Sequence, residues 1–321
     1  INDKNTAGQD LLNLFFTKFN KYVGMCDKNQ AFKQDHICDF MSKAVGVNKN
    51  SRILDPCCGS GAFLVRAMTQ AMDDCDTEEE RDNVKKNQIF GIEYEEGAFG
   101  LASTNMLIHG DGNSNVVQDS MFRRADWIGE NNINIVLMNP PYNATRKCCD
   151  PDYTGNWDSK KKEDPSRGLH FVEWVARHVP STCKMAVLLP MQAAIGHSGD
   201  IKEFKKRMLD SYTLDAVFSL PTEMFYPGAA AVACCMIFDL SGRHEKSDRD
   251  TFFGYFKDDK FIKRKGLGRI EMTDLSGNSL WSSTEEMWLN LYKNKREVPG
   301  LSVMHKVSWN DEWLAEADIW G

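Results

Sequence analysis

The strongest constraint on the fold is a six-residue apolar run that ends in two consecutive prolines. Residues 133–138 (Ile-Asn-Ile-Val-Leu-Met) are mostly apolar and partly β-branched, which is typical of a buried strand. The next four residues are Asn139-Pro140-Pro141-Tyr142. Because two prolines can continue neither a sheet ladder nor a helix, the chain must stop at the carboxyl end of this strand. Open α/β sheets bind their ligands at that end of their strands.

This tetrapeptide, the Asn-Pro-Pro-Tyr motif, suits chemistry on an amino group. The peptide carbonyls of Asn139 and Pro140 and the Asn139 amide oxygen can accept hydrogen bonds from one amine. Tyr142 offers a face for a flat ring. Taken alone, the motif is also compatible with a plain strand-ending turn and a surface tyrosine, so its meaning depends on the rest of the chain.

A glycine-containing loop lies upstream, between a short strand at residues 51–54 and a helix that begins near Ala62. Its sequence is Asp55-Pro56-Cys57-Cys58-Gly59-Ser60-Gly61. The glycines allow a tight turn and a close approach of a ligand to the backbone. The loop lacks both the spacing of a dinucleotide fingerprint and the lysine of a phosphate loop. Its acidic residue would repel a pyrophosphate but can hold an ammonium group.

A second carboxylate ends the next predicted strand, residues 87–92, at Glu93. A glutamate at that place can accept both hydroxyls of a ribose, as the acidic residue of dinucleotide-binding folds does. The alternative is a solvated carboxylate in the cluster of Glu93, Glu95 and Glu96.

The order of the predicted elements favours a doubly wound α/β fold with a mostly parallel sheet. Helices are predicted over residues 10–47, 61–75 and 97–108, and strands over 51–54, 88–93, 115–118 and 133–138. A further helix at 171–176, a strand at 184–190 and a helix at 201–210 precede two last strands at 213–220 and 231–238. The polar stretch between Tyr142 and Gly168 is predicted to be a substrate-facing loop or else a mobile insertion.

The composition limits the class of protein. The chain has 321 residues, of which 42% are hydrophobic, and carries a net charge of −7. No apolar run approaches the roughly 18 residues that span a bilayer, and the first residues do not form a signal peptide, so a cytoplasmic protein is expected. Adjacent cysteine pairs without C-x₂-C spacing predict no metal site. An acidic chain is an unusual free-standing nucleic-acid binder, despite basic clusters at 160–167 and 257–269.

The ordered set of motifs resembles the S-adenosylmethionine-dependent DNA adenine-N6 methyltransferases, especially the modification subunits of type I restriction systems. The resemblance covers residues 31–240, and the glycine loop precedes the Asn-Pro-Pro-Tyr motif, as in the gamma arrangement of that family. The segments that carry it are residues 55–64, Gly91-Ile92-Glu93, residues 105–111, Asp119-Ser120-Met121-Phe122 and residues 139–142.

The resemblance implies a role for each matching residue. The catalytic residues would be Asn139, Pro140, Pro141 and Tyr142, and S-adenosylmethionine would contact Asp55, Pro56, Cys57, Gly59, Gly61, Phe63, Glu93, Asp119 and Ser120. Phe32 and Lys33 lie where the family has a Phe-x-Thr-Pro-like segment, but Lys33-Gln34 replaces its threonine and proline. Lys33 and His36 are therefore either cofactor contacts or polar residues near a helix start. Phe225, or its neighbour Tyr226, would form the second face of the base pocket, unless it is a hydrophobic plug.

The implied architecture is a seven-stranded Rossmann-like methyltransferase sheet with an antiparallel edge strand. Residues 1–50 would form a helical segment leading into the cofactor site, 51–240 the methyltransferase domain and 241–321 a linker and C-terminal extension. Double-stranded DNA would be the substrate. The acidic charge and the abrupt ends of the chain suggest a fragment whose target-recognition module, or whose separate specificity subunit, is absent.

Three other functions share these motifs. Methyltransferases that act on release-factor glutamine or ribosomal RNA guanine also use Asn-Pro-Pro-Tyr, but the long loop and the tryptophan-rich tail fit them less well. Cytosine-N4 methylation uses the same amine chemistry, more often with Ser in place of Asn139. A catalytically silent scaffold of a restriction complex is disfavoured by the intact Asn139 and Tyr142.

Overall fold

The computed structural model describes residues 35–110, 115–226, 231–265 and 267–319. Most strands of these ranges belong to one nine-stranded sheet. Its members are β1 (Ile53–Asp55), β2 (Ile89–Glu93), β3 (Asn115–Gln118), β4 (Ile135–Met138), β5 (Lys184–Pro190), β6 (Thr213–Ser219), β7 (Ala233–Asp239), β8 (Thr251–Tyr255) and β11 (Ser302–His305). Two further strands, β9 (Phe261–Arg264) and β10 (Gly268–Glu271), form a separate antiparallel hairpin.

Helices cover both faces of the sheet. In chain order they are α1 (Asp35–Ala44), α2 (Ala62–Asp73), α3 (Glu78–Asn87), α4 (Glu96–Ile108), α5 (Ala125–Glu130), α6 (Pro151–Thr154), α7 (Leu169–His178), α8 (Met191–Ile195), α9 (Gly199–Ser211), α10 (His244–Ser247), α11 (Leu280–Lys293) and α12 (Glu316–Ile319). Short 3₁₀ turns occupy Met121–Arg123 and Arg146–Cys148. None of the helices within the described ranges is long and apolar enough to cross a membrane.

The strand order is β11-β8-β6-β7-β5-β4-β1-β2-β3. Strands β1 to β5 are parallel, with β2 and β3 on one side of β1 and β4 and β5 on the other. The direction in which successive strands are added therefore reverses between the neighbours β1 and β4. Such a switch point opens a crevice at the carboxyl ends of its strands. The glycine loop follows β1 and the Asn-Pro-Pro-Tyr motif follows β4, so both lie at this crevice.

The doubly wound, mostly parallel α/β fold is confirmed, but the sheet has nine strands instead of the expected seven, and one of its antiparallel strands, β7, lies inside the sheet. Strand β7 lies between β5 and β6 and is antiparallel to both. Beyond β6 come β8, which is parallel to it, and β11, which is the antiparallel edge strand. Both added strands come from the region after residue 240, for which no strand was predicted. The run Thr251–Tyr255 is short, but its first four residues are buried, and it pairs with an otherwise open edge of β6.

Two apolar layers hold the helices on the sheet. On one face, α1 and α2 pack with α11, and Phe40 of α1 contacts Phe218, Phe256 and Trp288. On the other face, α7 and α9 pack against β4, β5 and β6. The region after residue 240 is therefore built into the same core as the predicted methyltransferase domain.

Candidate active site

The Asn-Pro-Pro-Tyr motif directly follows β4, as predicted. Pro140, Pro141 and Tyr142 are buried and Asn139 is half-buried. The Oδ1 atom of Asn139 is itself buried and accepts no hydrogen bond from any described residue. Because an unpaired buried acceptor costs roughly 1–3 kcal/mol, this atom needs a hydrogen-bond donor that the described residues do not supply.

Phe225 contacts Tyr142, which brings together the two predicted faces of the base pocket. Their ring centroids lie 6.4 Å apart with an interplanar angle of 63°. Both residues are buried: Tyr142 is 8% exposed and Phe225 is 2% exposed. In this edge-to-face arrangement the rings are not parallel, so a base can stack on the faces of both rings at once only if one of them turns.

The glycine loop is tied to the two strands beside it. Asp55 is fully buried at the end of β1, and its Oδ1 accepts a hydrogen bond from Cys57 N at 3.1 Å. Cys58 N donates to the carbonyl of Ile92 in β2 at 3.0 Å. Gly59 has a φ of +55°, and a Cβ placed there would meet no atom within 4 Å. The backbone of Gly59 thus borders open space on the side where a side chain would stand.

Three other predicted cofactor residues differ in exposure. Phe63 is fully buried in the core beneath the loop, and Pro56 is also buried. Cys57 is partly exposed, with its Sγ 3.6 Å from Met121 Sδ. Phe63 is therefore part of the core, whereas Cys57 retains exposed surface.

The Glu93 carboxylate links β2 to the glycine loop. One oxygen accepts from Gly59 N and the other from Glu95 N, both at 2.8 Å. A carboxylate has about four acceptor positions, so it can bind several donors at once. The side chain is 3% exposed, which excludes the alternative of a solvated surface carboxylate.

Asp119 lies next to Glu93, because its backbone N–H donates to the Glu93 carbonyl at 3.0 Å. Its carboxylate already accepts from Ser120 N at 2.7 Å, from Arg123 Nε at 2.7 Å and from Arg124 Nε at 2.8 Å. Partial burial acts to raise the pKa of Asp119, but these hydrogen bonds and the positive charge of Arg123 outweigh it and hold the pKa below its usual value. Little acceptor capacity remains for a cofactor adenine, so a contact from Ser120 or the backbone fits the geometry better.

One residue that supports the motif was missed by sequence reasoning. Asp164 is fully buried and accepts hydrogen bonds from Ser166 N at 2.8 Å, Tyr153 Oη at 3.0 Å and Gly168 N at 3.0 Å. The turn it organises places Gly168 against the prolines: a Cβ at Gly168 would lie 3.1 Å from Pro140 Cγ. The Asp-Pro-Ser sequence of residues 164–166 indicates a turn, but it does not indicate that Asp164 is buried.

The stretch between Tyr142 and Gly168 is folded back on itself. Its organiser is Arg146, whose guanidinium donates to the carbonyls of Thr154 at 3.2 Å and Asp158 at 2.7 Å. Lys161 pairs with Asp200 at 2.6 Å. The role of residues 143–167 as a substrate-facing loop stays a prediction.

His36 faces the C-terminal region. Its Nε2 lies 2.8 Å from Asp259 Oδ2, and its ring stacks on Phe261 with centroids 3.8 Å apart. Asp35 contacts Arg66 of α2 at 2.8 Å. Two of the predicted cofactor residues, Phe32 and Lys33, lie outside the described residues.

A doubly wound sheet with a glycine loop after β1 and an Asn-Pro-Pro-Tyr motif after β4 defines the class of Rossmann-like methyltransferases. Within that class, the chain belongs to the N-6 DNA Methylase family, whose model matches residues 11–306.

Individual relatives agree with this assignment. The type II restriction enzyme and methyltransferase RM.BcgI of Heyndrickxia coagulans is 29% identical over 97% of this chain and 46% of that protein. The methylase subunit of the type I restriction enzyme MjaVII of Methanocaldococcus jannaschii is 20% identical over 86% of this chain and 46% of that protein. The chain thus spans about half the length of these curated relatives.

The fold is shared with a solved structure, the methyltransferase subunit of the type I restriction-modification system from Streptococcus thermophilus. The two superpose with a TM-score of 0.65 at 19% identity, over 95% of this chain and 62% of that chain.

Proposed function

We propose that this chain is the catalytic part of a DNA adenine-N6 methyltransferase that serves as the modification component of a restriction-modification system. Membership of the N-6 DNA Methylase family supports this function. The observation that carries it is the buried Oδ1 of Asn139, which accepts no hydrogen bond from the described residues and is fixed beside two prolines at the switch point. An exocyclic amine supplies the donor that this atom lacks.

The methyl donor in this proposal is S-adenosylmethionine, which supplies an electrophilic methyl group on a sulfonium. The residues at the crevice fit it. Asp55 offers a buried carboxylate for the ammonium group, and the Glu93 carboxylate at the end of β2 is the type of group that binds ribose hydroxyls. Above Gly59 there is open space against the backbone. These three residues come from neighbouring strand ends, so a single extended ligand can reach all of them.

The chain's own contribution to catalysis is mainly positioning. The lone pair of an adenine amine is delocalised into the ring, which makes the amine a poor nucleophile. Hydrogen bonds from the amine to Asn139 Oδ1 and to the Pro140 carbonyl localise that lone pair and hold it in one direction. The two prolines keep both acceptors rigid, so little reorganisation is needed during the reaction. A strong base is not required.

The target base must leave the duplex to reach these acceptors, at a cost of a few kcal/mol. Stacking on Tyr142 offsets part of that cost. Because Phe225 now contacts Tyr142 edge-on, entry of the base is expected to turn one of these rings.

Sequence recognition is assigned to a partner: a specificity subunit or a C-terminal target-recognition module. A net charge of −7 makes a strong DNA grip by this chain alone difficult. The names of the relatives, a methylase subunit of a type I restriction enzyme and a type II restriction enzyme and methyltransferase, fit both arrangements.

The decisive variant is Asn139→Ala. We expect the rate of methyl transfer to DNA to fall by about 10²-fold or more, the scale on which loss of one preorganised polar contact at a reacting centre acts. Binding of S-adenosylmethionine, measured by calorimetry, should stay near the wild-type value. The conservative Asn139→Asp retains an acceptor and should retain part of the activity. Asn156→Ala, an exposed amide in the loop after α6, is the matched control and should be fully active. Full activity of Asn139→Ala would exclude the proposed role.

The identity of the methylated group separates the competing functions. DNA incubated with the protein and S-adenosylmethionine is digested to nucleosides, and the product should be N6-methyladenine. If the product is N4-methylcytosine, or if ribosomal RNA or protein glutamine is methylated instead of DNA, the proposed substrate is wrong, whereas the proposed transfer of a methyl group to an amine still holds. If no methylated product of any kind forms, the catalytically silent scaffold is the function that remains.

A further inference from the structure

The β9–β10 hairpin is a compact basic projection on an acidic chain. Residues 261–271 contain four basic residues and one acidic residue, whereas the whole chain has a net charge of −7. Arg264 and Lys265 at its turn are exposed, and within the described ranges neither has an ion-pair or hydrogen-bond partner for its side chain. The hairpin is also separate from the main sheet, so it is free to meet a partner on its outer side.

The hairpin is rigidly mounted at its base. Arg269 forms two hydrogen bonds to Asp259, with its Nη1 and Nη2 each 2.6 Å from a carboxylate oxygen, and a third to the Phe261 carbonyl at 3.1 Å. Asp259 also accepts from His36 of α1. Since Arg269 and Asp259 are both buried, they act as an internal support, and the basic residues left for a partner are those at the turn.

The hairpin also reaches the segment that carries Phe225. Lys263 of β9 pairs with Glu223 at 3.1 Å, and its Nζ lies 4.1 Å from the centroid of the Tyr226 ring. Phe225, which precedes Tyr226 in sequence, contacts Tyr142. A direct chain of contacts therefore connects the basic hairpin to the predicted base pocket.

We infer that the turn of the β9–β10 hairpin binds phosphates of the DNA duplex that flanks the flipped base. This inference rests on the proposed function, because it takes DNA as the substrate. A base can occupy the Tyr142–Phe225 pocket only if its duplex passes close to residues 221–226, and the hairpin stands beside that segment. Lysine and arginine at an exposed turn provide the charge complementarity that phosphate binding requires. A two-stranded ribbon also has the width that a DNA groove admits.

The test is the salt dependence of DNA binding by the double variant Arg264→Gln/Lys265→Gln, made in the full protein or its natural complex. The affinity for a short mixed-sequence duplex is measured between 50 and 200 mM salt. Loss of two phosphate contacts should reduce the slope of log K against log[salt] by about two and weaken binding at 0.1 M salt by about ten- to a hundredfold. Binding of S-adenosylmethionine should not change.

The double variant Lys202→Gln/Lys206→Gln is the control. It removes the same charge from α9, where neither lysine forms an ion pair with a described residue. Its slope should match the wild type, and a slope reduced as much as that of the hairpin variant would show a general charge effect and overturn the inference. An unchanged slope in the hairpin variant would also overturn it.

A protein partner is the competing occupant, because Leu267 and Ile270 on the hairpin are exposed at 74% and 39%. If Arg264→Gln/Lys265→Gln binds DNA normally while Leu267→Ser/Ile270→Ser loses association with a specificity subunit, the hairpin is a protein interface. Failure of the proposed function is seen separately, as absence of methylated nucleoside from the wild-type protein, because the salt slope is measured without methyl transfer.

Discussion

At the scale of single residues, the rigidity of the amine-binding motif depends on what lies behind it. Pro140 and Pro141 fix their own backbone, but their position is set by the turn at residues 164–168. Gly168 adopts a φ of +94°, where a residue with a side chain is strained, and a Cβ there would lie tightly against Pro140 and Leu189, at 3.1 and 3.2 Å. This glycine is therefore a positioning residue for Asn139.

Gly168→Ala is expected to lower both stability and activity. The strained backbone alone costs roughly 1–3 kcal/mol, and the added methyl pushes on Pro140. The free energy of unfolding in urea should fall by about that amount, and kcat should fall with little change in the binding of S-adenosylmethionine. Gly100→Ala is the control, because Gly100 lies in α4 with nothing within 4 Å of its Cβ position. That variant should be stabilised by up to about 1 kcal/mol. Wild-type stability of Gly168→Ala would contradict the role of this turn.

The motif residues themselves could be predicted from the sequence, whereas their support could not. Asn139 and Glu93 follow apolar runs, and each stands at a strand end for that reason. Asp164 lies in a polar stretch, where nothing in the sequence distinguishes a fully buried carboxylate from an exposed one. Its burial depends on donors from Tyr153, Ser166 and Gly168, which only the folded loop brings together.

At the scale of elements, a buried ionic cluster joins the first described helix to the hairpin. Asp259 contacts His36 of α1 and Arg269 of β10. Burial acts to raise the pKa of Asp259, but the hydrogen bonds from His36 and Arg269 outweigh it and hold the pKa below its usual value of 3.8. The cluster therefore fixes how α1, which leads towards the glycine loop, sits against the C-terminal region.

Asp259→Asn is expected to cost about 3–5 kcal/mol, since it leaves the buried Arg269 charge without its partner. The pH dependence has a definite sign. A carboxyl with a lowered folded pKa stabilises the fold fully above its unfolded pKa and loses that contribution as the pH falls through the folded pKa. The difference in unfolding free energy between wild type and variant should thus be constant above about pH 4 and shrink below it. The control is Asp258→Asn, because Asp258 forms an exposed ion pair with Lys260. The unfolding free energy of this variant should differ from that of the wild type by less than about 0.5 kcal/mol. A constant difference down to pH 2 would contradict the ionic role.

Helices and strands could be predicted from the sequence where one face of the element, or every residue in it, is apolar. Strands β1 to β7 each coincide with a predicted strand to within a few residues, and all of them except β3 are largely buried. Helix α3 was missed because only Val84 of its ten residues is buried. It is defined by its start instead, where the Thr77 side chain accepts from Glu80 N and Glu80 Oε2 accepts from Asp76 N. That Thr-x-x-Glu spacing was the available signal.

At the scale of the whole molecule, the division at residue 240 separates segments that share one core. The polar residues 241–249 predicted a linker to an extension, yet the chain beyond them adds β8 and β11 to the sheet and α11 to its face. The long-range pairing of β8 with β6 has no local sequence signature, which is why it could not be predicted. Trp288 of α11 shows the consequence, because it is 1% exposed and stacks on Phe256, with ring centroids 4.7 Å apart, while its edge meets Phe40 of α1.

If this core is one cooperative unit, truncation of Trp288 should destabilise the whole chain and not only its C-terminal part. Trp288→Ala is expected to lower the free energy of unfolding by about 3–5 kcal/mol, the usual cost of deleting a buried aromatic side chain. Urea unfolding followed by far-ultraviolet circular dichroism and by tryptophan fluorescence should give coincident single transitions in both wild type and variant. Trp309→Ala removes a tryptophan that is 38% exposed and should change stability far less. Two separated transitions, with only the first shifted by Trp288→Ala, would instead establish residues 241–321 as a domain that folds on its own, because each core would then respond to its own contacts alone.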